Sequence, residues 1–293
     1  MPNAKLIHSF RSFFIAGKEV LLRVLNGQAS YVSAWLIVFG ACQLSGAYIS
    51  HRMFNIPAKV YSCYNIYFPY EVGWTTSGII LTFGLGPVIA GLFLVIFTHF
   101  VGKVLSPDTG VLREFVIWIR IHAFTMVFGN IIAGVSTGFG AAHAVKAIFG
   151  QNVATNIVVG FVCFAIFTIT CMVMAKKYII EIIPRRALAD ESSVKYMWAS
   201  TIGSWLAGNL LIYLVVFLPV HTSKIPLQNI VLYSLTTVPP LVFMLRFRKI
   251  RFFTKTNDTR FTGKPANFSL MMFAICITGC AGWYLLFRNG IKV

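Results

Sequence analysis

Seven apolar stretches, each about the length that crosses a bilayer, punctuate this chain, and the Lys and Arg residues between them crowd onto alternate linkers. A helix rises about 1.5 Å per residue, so roughly 20 apolar residues cover ~30 Å of hydrocarbon. The stretches run over 30–49, 75–102, 113–135, 155–175, 196–219, 226–245 and 267–287. In lipid a segment must satisfy its own backbone donors and acceptors, which makes these segments helices. The predicted fold class is an all-α, polytopic transmembrane helical bundle of about seven spans. Only 11% of residues are charged, 57% are hydrophobic and the mean hydropathy is +0.77. A water-soluble domain would carry about 25% charged residues.

The basic residues set the expected orientation. With the amino end placed in the cytoplasm, eighteen of the 25 Lys and Arg residues fall on the cytoplasmic side, six fall outside, and Arg120 lies within a span. The positive-inside rule therefore predicts an amino end inside and a carboxyl end outside, in a bacterial cytoplasmic (inner) membrane. The net charge of +17 does not point to nucleic acid, because its cations sit between apolar spans rather than on one water-exposed face. Two cytoplasmic linkers are rich in cations. Lys176, Lys177, Arg185 and Arg186 lie in one, and Arg246, Arg248, Lys249 and Arg251 begin the other; these are candidate contacts for anionic lipid headgroups.

Residues 1–26 form a separate unit in this reading, ahead of a transmembrane domain over 27–293. Lys5, Arg11, Lys18, Glu19 and Arg23 interrupt Leu6, Ile7, Phe10, Phe13, Leu21 and Leu25. That interruption suits an amphipathic helix lying in the interface over about 4–25, and suits neither a signal peptide nor a span. On the outer side, Tyr61, Tyr64, Tyr67, Phe68, Tyr70 and Trp74 gather rings ahead of the second span, as an interfacial belt or re-entrant loop would.

Ionisable residues inside a span are costly, which makes the third span the chemically interesting one. It carries Arg120, His122 and Asn130. The eight acidic residues all lie near span ends or in linkers, so Arg120 is expected to snorkel or to meet Glu114 or a lipid phosphate. The competing reading is a polar path for an anion, quinone or proton lined by Arg120, His122, His99 and Asn130. Small residues recur every fourth position in the fifth span, as Ala199, Gly203 and Ala207 and as Ser200, Ser204 and Gly208; such rows let helices approach closely. Pro87 and the pair Pro239–Pro240 predict bends or breaks in the second and sixth spans.

Other chemistries find less support. His51, His143 and His221 share the outer side and form a possible metal triad, although their linear spacing is not that of a ligand motif. Five of the six cysteines lie in spans, and Cys276 and Cys280 share a helix face as half a metal site at most. Gly134-Val135-Ser136-Thr137-Gly138 has the form of a serine nucleophile turn, but that turn needs a strand before it. The last span has no Lys for a retinal Schiff base. The sequence names no cofactor.

From Gly46 the chain reads Gly-Ala-Tyr-Ile-Ser-His-Arg-Met-Phe-Asn-Ile-Pro-Ala-Lys-Val-Tyr, and residues 83–92 read Phe-Gly-Leu-Gly-Pro-Val-Ile-Ala-Gly-Leu. Over about residues 43–95 this resembles site-2-type intramembrane metalloproteases. The family's zinc-binding His-Glu-x-x-His is missing, because Gln43, Leu44, Ser45, Gly46 and Ala47 occupy its place. The resemblance therefore implies a noncatalytic relative that keeps the helical bundle and binds another membrane protein. The sequence reading is a noncatalytic component of a membrane protein assembly. A transporter or channel for a small anion or lipid-like solute, using Arg120 and His122, is the alternative, and a metal-dependent membrane enzyme is the third.

Overall fold

The computed structural model describes residues 3–60, 66–68, 73–105, 110–138, 140–150, 152–183, 197–217, 227–253 and 268–293. The helices are α1 (Asn3–Phe54), α2 (Thr76–Ile79), α3 (Gly86–Val104), α4 (Gly110–Thr137), α5 (Ala141–Phe149), α6 (Val153–Ile182), α7 (Ser204–Ile212), α8 (Leu227–Leu235), α9 (Val238–Phe253) and α10 (Leu270–Phe287). Wider π-helical turns at Ile80–Leu85, Ala199–Gly203 and Tyr213–Phe217 continue the helices beside them. Side-chain caps begin three helices: Thr75 Oγ1 accepts from Gly78 N, Asn152 Oδ1 from Ala154 N and Ser269 Oγ from Met272 N.

Seven helical stretches are long and apolar enough to cross a membrane: Lys18–Phe54, Thr76–Val104, Gly110–Thr137, Val153–Ile182, Ala199–Val216, Ile230–Phe247 and Leu270–Phe287. They match the seven predicted spans one for one. Two of them form the centre, since the apolar 18-residue stretch of the first span is 61% buried and that of the third 67%, whereas those of the second and fourth are each 17% buried. Helix α4 packs against α1, α3, α5, α6 and α8, and α1 packs against α3, α7 and α10. Their shared core holds Tyr31, Trp35, Phe39, Trp118, Ile121, Tyr178 and Phe243, with Trp35 stacked on Phe39 at 4.5 Å.

The amino-terminal segment differs from the expected separate unit. Helix α1 runs unbroken through position 26 into the first span, and Arg23 is buried, 3% exposed, instead of lying at the interface. The break in the sixth span is real but falls at Thr236–Thr237, ahead of the prolines. Pro239 and Pro240 sit in the first turn of α9, where a missing N–H costs no hydrogen bond. Pro87 likewise opens α3 directly after a π segment.

A short antiparallel sheet of order β2-β1-β3, from Lys59–Val60, Ile66–Tyr67 and Ile291–Lys292, closes one end of the bundle. It ties the carboxyl tail to the loop after α1, with Val293 N donating to Ala58 O at 2.9 Å. At the opposite end Arg23 meets Glu114, and Ser269 N donates to Asn26 Oδ1 at 3.1 Å.

Candidate functional site

Two buried polar groups occupy the core, one near an end of the bundle and one deeper within it. The first is built on Glu114, one turn into α4 and 0% exposed. Arg23 Nη2 of α1 lies 2.8 Å from its Oε2, and Tyr178 of α6 donates to its Oε1 at 2.7 Å. The Tyr178 hydroxyl also lies 3.3 Å from the Ser200 carbonyl oxygen, so four helical segments converge on one carboxylate. A charge out of water needs this kind of partnership, because an unpaired one costs several kcal/mol.

The second group surrounds His122, 3% exposed. The Tyr31 ring meets the imidazole edge-on at 4.6 Å, and Trp118 stacks beside it at 5.9 Å. The imidazole hydrogen-bonds the Tyr31 main chain, while Nε2 has no hydrogen-bond partner among the described residues. A small pocket lies against it, lined by Trp35, Phe39, Thr125, Met126, Leu232 and Thr236. Thr236 belongs to the break in the sixth span. Its Oγ1 accepts from Trp205 Nε1 at 3.3 Å and donates to the Tyr233 carbonyl at 2.6 Å. The Tyr31 hydroxyl donates to Asn209 Oδ1 at 3.2 Å, so the polar chain continues into α7.

The predicted polar path is not assembled as one line. Arg120, 4% exposed, turns to α3, where Nε donates to Thr98 Oγ1 at 3.3 Å and Nη2 to the Thr98 carbonyl. Its expected partner Glu114 is instead taken by Arg23 and Tyr178. His122, two residues on, faces α1 and the pocket, which is the far side of the same helix. His99 stands exposed on α3 and Asn130 is half-buried two turns beyond His122. Of the predicted headgroup contacts, Lys176 is exposed, Lys177 and Arg246 are half-buried, and Arg248, Lys249 and Arg251 fall in the last turns of α9. Arg185 and Arg186 lie outside the described residues.

The remaining candidates separate as well. His221 and Cys63 lie outside the described residues, and among those described no three His, Cys, Asp or Glu gather as a metal site. His143 of α5 packs its ring 5.7 Å from Phe83, and burial, with the charge of Lys146 beside it, holds its pKa below the ordinary value. Ser136 is an ordinary helical residue whose Oγ donates to the Ile132 carbonyl. The first span touches the start of α3: a Cβ on Gly86 would stand 3.3 Å from the Gly46 backbone, and Cys42 Sγ lies 3.6 Å from the Pro87 carbonyl oxygen.

Seven helices long and apolar enough to cross a bilayer, packed around a core that buries Arg23, Glu114, Arg120 and His122, define a multi-pass α-helical integral membrane protein. No family model, curated protein or solved structure matches the chain.

Proposed function

We propose that this protein is a noncatalytic component of a membrane protein assembly, seated in a bacterial inner membrane with its amino end in the cytoplasm. The observation that carries this reading is the outward face of α10. Ala274, Thr278 and Gly282 repeat every fourth residue there; the first two are exposed, and a Cβ on Gly282 would meet nothing within 4 Å. The Thr278 hydroxyl is already satisfied by the Ala274 carbonyl at 2.8 Å. Such a row gains nothing from lipid tails but lets another helix backbone come close, where packing and Cα–H contacts accumulate. The resemblance over residues 43–95 points the same way, toward a bundle that binds another membrane protein.

Purification in mild detergent is expected to yield a stoichiometric partner, either another chain or a second copy. Thr278→Leu and Gly282→Leu should release that partner while leaving the thermal midpoint of the chain itself unchanged. A solitary monomer from both the native and the variant membranes would overturn the reading.

A second reading has its own observation, the unpartnered Nε2 of His122 beside a pocket at the break in the sixth span. Discontinuous helices at membrane depth border solute sites in carriers. The solute class would be lipid-like with one hydrogen-bond donor, since Arg120 is engaged elsewhere and the pocket lining is mainly apolar, and the pocket, which has room for about one water, would have to widen to admit it. In liposomes, His122→Ala should abolish flux of such a solute and Arg120→Ala should spare it if the protein folds. No flux in the native protein removes this reading.

A further inference from the structure

We propose that the ends of α3, α4 and α6 that face away from the sheet form a binding site for a phosphate anion, carried by a phospholipid headgroup or free in solution. Three helix rows converge there. His99 and Lys103 stand four apart on α3, Arg113 and Arg120 seven apart on α4, and Lys177 and Glu181 four apart on α6. Spacings of four and seven keep each pair on one helix face. The rows are within electrostatic reach of one another: His99 feels Lys103, Arg120 and Lys177, and Lys177 feels Arg120, Arg113 and Glu181.

Among the described residues the charges do not balance: beside Lys103, Arg113, Arg120 and Lys177 stands the carboxylate of Glu181, 3.6 Å from Lys177 and a looser 3.9 Å from Arg113. The nearby carboxylate of Glu114 is buried and committed to Arg23. Arg120 is held in place from behind, by Thr98 and by the gap at Gly102, where a Cβ would stand 2.9 Å from Arg120 Nη2. Arg113 is steadied by the Leu105 carbonyl at 2.8 Å. Lys103 and Lys177 are the outward members, with Lys103 exposed and the Lys177 side chain 32% exposed, so an anion arriving at the rim meets them first. A phosphodiester adds negative charge beside these cations and accepts several donors at once.

The test is thermal unfolding of the detergent-purified protein with dioleoylphosphatidylglycerol, dioleoylphosphatidylcholine or inorganic phosphate added separately. Phosphatidylglycerol is expected to raise the midpoint by about 3 °C. The K103Q/K177Q double variant should keep the lipid-free midpoint and lose that rise, whereas K292Q, at the other end of the bundle, should retain it. A rise with phosphatidylglycerol but not with inorganic phosphate assigns the site to a lipid; an equal rise with inorganic phosphate, again lost in K103Q/K177Q, assigns it to a free anion. No rise with any of these additives, an equal rise with phosphatidylcholine, or a rise undiminished in K103Q/K177Q overturns the proposal.

Discussion

The Glu114 carboxylate is the residue on which the cost of charge in this bundle is most concentrated. It is buried with Arg23 at 2.8 Å and Tyr178 at 2.7 Å, so removing either ionic partner strands the other away from water. Glu114→Ala or Arg23→Ala is expected to cost about 3–5 kcal/mol, whereas the double change Arg23→Met with Glu114→Leu should recover most of that loss. Unfolding in mixed detergent–SDS micelles measures all three, and a loss in the double equal to the sum of the two single losses would show that the pair is not coupled. Arg120 and His122 were legible in the sequence because an ionisable residue well inside an apolar run must snorkel, find a partner or face water. Glu114 and Arg23 were not, since each lies near the end of its run and reads as a solvated charge. One signal did exist: Arg23, Asn26, Ser30 and Ser33 advance by three, four and three, and all four are buried on the inner face of α1. That spacing marks a helix with a polar seam turned inward, whereas an interfacial helix turns its polar face to water.

At the scale of elements, α7 crosses α1 so closely that glycine is required on both sides. A Cβ on Gly208 would stand 2.5 Å from Tyr31 Cδ1, and one on Gly27 would stand 2.2 Å from Ser204 Oγ. Gly208→Ala must push the Tyr31 ring away from Asn209 and His122, at a cost of about 1–3 kcal/mol. Gly282→Ala, with nothing within 4 Å, is expected to be neutral in the isolated chain. The same micelle titration compares them, and an equal response would mean that α1 and α7 are less tightly joined than their geometry implies. The row Ser200, Ser204 and Gly208 was readable because small residues every fourth position have few other uses in lipid. The π-helical turns at Ile80–Leu85, Ala199–Gly203 and Tyr213–Phe217 were not readable. One extra residue per turn leaves no compositional mark in a run that is apolar on every side. The proline pair announced a break without locating it, because proline is tolerated in the first turn of a helix as well as at a kink.

For the whole molecule, the contacts between helix ends sort those ends into two groups. The sheet brings Lys59 opposite Lys292, so the end of α1 and the carboxyl tail occupy one end of the bundle. Glu181 of α6 lies 3.9 Å from Arg113 of α4, and Glu114 meets Arg23 of α1, so those three ends occupy the other. The positive-inside expectation assigns these two ends to opposite compartments, with the Arg23, Glu114 and Glu181 end in the cytoplasm. Single cysteines at exposed Lys103 and Lys176 should therefore be labelled together by a membrane-impermeant maleimide, and cysteines at exposed Arg288 and Lys292 from the opposite face. The background is low once Cys63 is replaced by Ser, because Cys42, Cys163, Cys171 and Cys276 are buried and Cys280 lies within α10. In intact cells the Arg288 and Lys292 positions should react, with Lys103 and Lys176 reacting only after permeabilisation. Reaction of Lys103 and Lys176 from different faces would break the threading itself, whereas a uniform reversal would keep the bundle and invert only its orientation.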